Sequence, residues 1–268
     1  MCWRRIKSCL VLSLVLVILS GCATTGPGGK KSLIIIPVGT EVSIGHDMDG
    51  QVRSSNRILA DSAWSVYIDE IGQRLVRVCD RRDIEYHFAV IDSNMVNAFA
   101  APGGYIYFYT GLLKMVDNEA ELAAVVAHEI SHVVARHGVK RLQAAIGVQL
   151  LQQLIFSNSA EALQTAVNVG IGLSFATYSR ANEHEADSYG IEYMVRAGYN
   201  PEASITMFEK LASLSDGSPG FFERLSMSHP ETLERIQDSK ALIESMKPLP
   251  DSLEYYRTRY QKMRRRLP

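Results

Sequence analysis

The chain opens on an apolar run, Leu10 to Leu19, broken only by Ser13 and preceded by the basic residues Arg4, Arg5 and Lys7. The run falls short of the ~20 apolar residues that a spanning helix needs, and it reads as an export signal. Leu33 to Val38 is a short β-rich stretch expected at the domain edge. From Asn56 to Val78, the apolar positions Ile58, Leu59, Ala63, Val66, Tyr67, Ile71, Leu75 and Val78 recur at helical spacing. The pattern then turns β-like. Tyr86–Ile91, Asn97–Ala101 and the aromatic-rich Tyr105–Tyr109 read as strands, with Pro102-Gly103-Gly104 as a turn.

Helical periodicity dominates the remainder. Asp117 or Asn118 caps a long helix, and Asn118 with Glu121 three residues on fits a capping box. Residues 144–176 are apolar but interrupted by Gln149, Gln152, Gln153, Asn158 and Glu161. They are expected to form paired amphipathic helices and no transmembrane hairpin. Asn200-Pro201 starts another helix and Pro230 opens one more. A small sheet or hairpin among many helices predicts an α+β domain.

Composition narrows the function classes. The 268 residues carry a formal net charge of -1, which lacks the basic stripe that nucleic-acid binding wants. Leu19-Ser20-Gly21-Cys22 resembles a bacterial lipobox, so residues 1–21 are expected to leave as a signal peptide, with Cys22 acylated as the first mature residue. Arg4, Arg5 and Lys7 leave with it, lowering the formal charge from -1 to -4. Ala23, where an Asp would retain the protein at the inner membrane, points to the periplasmic face of the outer membrane. Residues 22–32 are expected to be a flexible tether and 33–268 the folded domain. Cys2 and Cys9 belong to the signal, so Cys79 is alone in the mature domain and is expected to be a packing residue. At the other end, Arg257, Arg259, Lys262 and Arg264–Arg266 form a basic helix or tail expected to be solvated, with Tyr255, Tyr256 and Tyr260 packing on the domain.

The chemistry falls on the capped helix. His128-Glu129-Ile130-Ser131-His132 is an HExxH motif. At about 100° per residue the two histidines lie one turn apart, about 40° from each other, where both can bind one zinc ion. Glu129, on the flank, is placed to take a proton from a zinc-bound water. Leu122, Val126, Ile130 and Val133 give the helix an apolar opposite face. The metzincin continuation is absent, because Ala135 and Gly138 stand where Gly and His are required. His137 falls on the wrong face for a ligand and is expected to be a C-terminal cation beside Gly138. Downstream, Glu183 and Asp187 share one helical face and supply the third ligand between them, while His184 and Glu185 are expected to point away.

HExxH, the later Glu183-x-x-x-Asp187, and Ser228-His229-Pro230 followed by Arg235 resemble peptidase family M48. This zinc peptidase family includes HtpX, the Oma-type mitochondrial protease and the CAAX prenyl proteases. Asn97-Ala98-Phe99-Ala100-Ala101-Pro102-Gly103-Gly104 also matches the family's strand before the metal helix, and the resemblance spans residues 56–245. It implies a mostly helical zincin-type domain with one zinc held by His128, His132 and Glu183. It also implies Glu129 as catalytic base and Asp187 as a supporting residue. His229 becomes either an oxyanion donor or a fourth ligand closing the resting site, and Arg235 steadies its loop. Asn97, Ala98 and Phe99, with the Gly103-Gly104 turn, become an edge strand that binds extended substrate. The pattern is expected to be nearest the periplasmic LoiP/BepA-like lipoproteins, without the helical-repeat domain or membrane spans of other members. The expected function is hydrolysis of misfolded or misassembled envelope proteins. The rival is a lipoprotein chaperone or scaffold with a closed zinc site, working with envelope-assembly proteins.

Overall fold

The computed structural model describes residues 22–24, 31–157, 159–215, 229 and 233–268. The signal segment 1–21, tether residues 25–30, Ser228 and the helix-opening Pro230 lie outside the described residues. Strand β1 (Cys22–Thr24) pairs antiparallel with β2 (Lys31–Leu33), Cys22 opposite Leu33. The extended lead-in that follows buries Ile34 and Ile36. Gln143 ties it down, accepting from Ile35 N at 2.7 Å and donating to Leu33 O at 3.1 Å.

Of the β-rich stretch expected over 33–38 only Leu33 is strand, as the end of β2, and Val38 begins a helix, α1 (Val38–Ser55). Sequence periodicity did not reveal α1. Its buried stripe is sparse, Ile44, Met48 and Val52 at four-residue spacing, among glycines and charges. Helix α2 (Ser62–Val76) starts later than its apolar spacing suggests, because the Asp61 carboxylate caps it, accepting from Ala63 N and Trp64 N.

Strands β3 (His87–Ile91), β4 (Ala98–Ala101) and β5 (Tyr105–Tyr109) form a sheet of order β3-β5-β4. β5 is parallel to β3 and antiparallel to β4, which leaves β4 at an edge. The Pro102–Gly104 turn between β4 and β5 needs its glycines. Gly103 and Gly104 have φ of 75° and 93°, and a Cβ on Gly104 would lie 2.2 Å from Glu85 O. Helix α1 crosses this turn so closely that a Cβ on Gly45 would sit 2.1 Å from Pro102 O.

The helices that follow are α3 (Thr110–Met115), α4 (Glu119–Val134), α5 (His137–Phe156) and α6 (Ala160–Leu173), then α7 (Arg180–Arg196), α8 (Glu202–Ser215), α9 (Leu233–Ser245) and α10 (Arg257–Arg264). α5 and α6 pair as the interrupted apolar pattern predicts. Among the described residues no helix is long and apolar enough to cross a membrane. At the start of α8, Asn200 Oδ1 accepts from Glu202 N at 2.9 Å.

Every residue of α4 is buried, with α2, α7, α8 and β4 packed around it. Cys79 is buried as a free thiol in the same core. In the basic C-terminal end, Arg257, Arg259, Lys262, Arg265 and Arg266 are solvent-exposed as expected, while the tyrosine at its centre packs inward. Tyr260 of α10 is fully buried beside Trp64 and Tyr67, and Arg259 reaches Glu119 at 3.1 Å. Arg264 pairs with Asp117 and Arg266 with Asp61, so these cations tie the end of the chain to the starts of α4 and α2.

Candidate metal centre

A helix buried all round has nowhere to solvate a polar side chain, so each one on α4 must find a partner inside the protein. At its N-terminus, Asn118 Oδ1 accepts from Glu121 N at 3.0 Å, and Glu121 Oε2 accepts from Asp117 N at 2.8 Å. Glu119 accepts from the hydroxyls of Tyr67 and Tyr199. The first turn, where carboxylates also meet the positive end of the helix dipole, is therefore closed off.

Three turns on, His128 and His132 project toward α7. His128 Nδ1 lies 2.9 Å from Asp187 Oδ1, a carboxylate that Arg235 holds through Nε and Nη2 at 2.7 Å each. The third guanidinium nitrogen of Arg235 lies 3.1 Å from Glu183 Oε2. Arg235 is 2% exposed and braces Glu183 and Asp187 of α7, beyond the loop-steadying role expected for it.

The inner ring atoms converge. His128 Nε2 is 3.1 Å from His132 Nε2 and 3.2 Å from His229 Nδ1. Glu183 lies 3.5 Å from each of the His128 and His132 Nε2 atoms, and 3.0 Å from His229 Nδ1. An ion bound tetrahedrally at about 2.0–2.1 Å, the zinc–imidazole length, needs donors about 3.3 Å apart. Three imidazoles and one carboxylate at these separations fit such an ion, and their donor atoms all lie within 4.8 Å of one another. Asp187, the other candidate for third ligand, is turned to the far side of His128.

Charge and burial work together here. Burial draws His128 toward its neutral form, but Asp187 and Glu183 outweigh it and push the imidazolium pKa up to about 10. Burial together with the neighbouring His128 drives His132 well below its ordinary range. Glu183 is held well below the usual carboxylate range, because His229 and His128 overcome the opposing burial. A negative locus ringed by imidazole nitrogens is the donor chemistry a divalent cation needs.

Glu129 stands outside that ring. Its Oε1 lies 3.7 Å from His229 Nε2, and its buried Oε2 has no hydrogen-bond partner among the described residues. Burial raises its carboxyl pKa, partly offset by the charges of His229 and His128 and by the main chain of Ala100. Ala100 belongs to the edge strand. Since Tyr109 N donates to Asn97 O, alternation along the β4–β5 ladder turns the main-chain groups of Ala98 and Ala100 away from the sheet. Asn97, Ala98 and Phe99 are buried as whole residues and Ala98 N donates to Asn97 Oδ1 at 2.9 Å, so Ala100 alone of β4 is partly exposed.

Two expectations are overturned. His137 is not a helix C-terminal cation, because it opens α5, although it does stay outside the donor cluster as expected. The helix breaks at Arg136, φ 53°, and brings His137 Nδ1 to 2.9 Å from His132 Nδ1. Glu185 does not point away, because its Oε2 lies 3.2 Å from His137 Nε2. His184 does turn elsewhere, to Asp238. Tyr178, which sequence reasoning passed over, stacks on His132 with ring centroids 4.2 Å apart. The only signal for it was an aromatic residue just before the Ser179 cap of α7.

Comparison with known proteins agrees with this geometry. Residues 63–243 match the model of Peptidase family M48. The chain is 29% identical over 272 residues to the Beta-barrel assembly-enhancing protease of Escherichia coli (strain K12), covering 92% of this chain and 54% of that protein. It is 31% identical over 176 residues to the Mitochondrial metalloendopeptidase OMA1 of Schizosaccharomyces pombe, covering 65% of this chain and 51% of that one. With the Metalloprotease LoiP of Escherichia coli it shares 28% identity over 254 residues, covering 87% of this chain and 95% of that protein. The chain thus spans about half the length of the assembly-enhancing proteases it matches.

Proposed function

The chain belongs to peptidase family M48, and on that premise we propose that it is a zinc-dependent endopeptidase. In this reading it is lipid-anchored through Cys22 at the periplasmic face of the bacterial outer membrane and hydrolyses misfolded or misassembled envelope proteins. The observation that carries the catalytic part is the ring of four donors, all within 4.8 Å of one another, beside a Glu129 Oε2 that has no hydrogen-bond partner among the described residues. A purely structural site has no need of that carboxylate.

His128, His132 and Glu183 hold the zinc, which when bound supplies an electrophile for the scissile carbonyl and a water of lowered pKa. Glu129 accepts the proton of the attacking water and delivers it to the leaving amine. Asp187, braced by Arg235, keeps the His128 ring turned so that Nε2 is its ligand atom. Substrate lies along β4 as an added strand, meeting the outward main chain at the partly exposed Ala100, with the Gly103-Gly104 turn closing one end. Main-chain recognition reads extended conformation over sequence, which suits unfolded segments.

His229 supports a second reading. With Nδ1 among the donors it makes a closed, four-ligand site, an arrangement typical of structural zinc. Such a protein would hold assembly partners as a chaperone or scaffold until His229 withdraws. One assay separates these readings: cleavage of an unfolded test protein by wild type and Glu129→Gln, with zinc content measured on both. Wild-type cleavage lost in the variant at unchanged zinc content supports the enzyme, and equal cleavage overturns it. In the same assay His229→Ala should raise cleavage if the residue shuts the site. Near-total loss would instead make it a donor to the developing oxyanion.

A further inference from the structure

We propose that His137 and Glu185 are positioning residues for His132, forming a buried hydrogen-bonded chain that fixes which ring nitrogen His132 presents to the metal. The inference rests on the reading of His132 as a ligand, and it concerns atoms on the opposite side of that ring. His132 Nε2 faces the donor cluster, 3.5 Å from Glu183 Oε1. Its Nδ1 points away and meets His137 Nδ1 at 2.9 Å, and His137 Nε2 meets Glu185 Oε2 at 3.2 Å. The His137 side chain is fully buried and that of Glu185 is 10% exposed, so water does not compete for these contacts.

One proton arrangement satisfies the whole chain. A metal ligand needs a free lone pair on Nε2, so His132 carries its proton on Nδ1 and donates it to His137 Nδ1. His137 then carries its own proton on Nε2 and donates it to the Glu185 carboxylate. His128 shows the shorter version of the same device, with Asp187 directly on Nδ1. Outer partners of this kind set the tautomer and raise the basicity of a ligating imidazole.

The backbone is built to deliver His137. A straight continuation of α4 would carry it around the helix, away from His132. Arg136 instead takes left-handed dihedrals, φ 53°, an uncommon conformation for a residue with a side chain. Its guanidinium is anchored on Glu41 at 2.8 Å and on Ile36 O at 2.9 Å. Glu41, 1% exposed, also takes two hydrogen bonds of 2.9 Å from Arg81. Helix α1 thus holds the break that turns His137 back behind the ligand.

The test is zinc affinity, read by competition with a chromophoric chelator on the full chain, with circular dichroism of each apoprotein as the check on folding. Phe at position 137 keeps bulk and removes the acceptor, so His137→Phe should weaken zinc binding about 10- to 100-fold. In His137→Asn an amide oxygen stands near the position of Nδ1, and part of that loss should return. Glu185→Ala should weaken binding by a smaller factor. The double variant should bind no more weakly than His137→Phe alone, because Glu185 reaches His132 through His137. Folded single variants with wild-type affinity, or losses that multiply in the double variant, overturn the proposal. Should His137→Phe not fold, nitrogen-15 NMR of the wild type decides: a proton on His137 Nε2 supports the chain, and one on Nδ1 overturns it. Wild type that binds no zinc refutes the ligand assignment itself, and is thereby distinguished from a zinc-binding wild type whose variants match it.

Discussion

At the scale of single residues, the site is a set of buried charges that are tolerable only together. Arg235 touches both Glu183 and Asp187, and it is closed off from solvent. Replacing it with Met leaves Asp187 and Glu183 without their cation. Loss of one partner from a buried pair costs about 3–5 kcal/mol, so Arg235→Met apoprotein should unfold at markedly lower denaturant concentration. Added zinc should recover part of that loss through Glu183, and an unchanged denaturation midpoint would contradict this picture. The HExxH pattern was legible because i and i+4 share a helical face whatever surrounds them. The role of His137 was not legible. It depends on the left-handed Arg136, whose conformation is held by Glu41 from a helix far away in sequence.

At the scale of elements, the site exists because α4 and α7 approach closely enough for α7 carboxylates to reach α4 imidazoles. Gly190 sits at that crossing, where an added Cβ would lie 3.2 Å from His128 N and 3.4 Å from its Cα. Both are backbone atoms of the ligand-bearing helix and have little room to yield. Gly190→Val should therefore destabilise the fold by about 1–3 kcal/mol, as overpacking does. Zinc affinity should fall with it as Glu183 is carried outward, whereas loss of stability at unchanged affinity would mean that the crossing does not set ligand distance. The strands and most helices were legible, since each carries its own period, cap or turn residues. Helix α1 was missed because only Ile44, Met48 and Val52 mark its buried stripe, with Gly45 small to admit the Pro102 turn. A packing requirement of that kind lowers the helical signal it serves.

At the scale of the whole molecule, the donors come from three separate stretches: α4, α7 and the segment around His229. An ion gripped by all of them stabilises the folded chain alone, by about 2.7 kcal/mol at a free concentration of one hundred times Kd. Stripping the metal with a chelator should therefore lower the thermal midpoint, and zinc should restore it. No change in calorimetry would mean that these stretches stay assembled without an ion. The sequence by itself determined the α+β class, the capped HExxH helix, and the chemistry of two imidazoles with a carboxylate beside them. All of these follow from local periodicity and from what the side chains can ligate. Only the tertiary structure decided that Glu183 and not Asp187 faces the imidazole nitrogens, that His229 brings Nδ1 among them, and that His137 and Glu185 stand behind His132. Those choices turn on helix crossings and one backbone break, which arise from contacts between residues distant in the chain and leave no period in it.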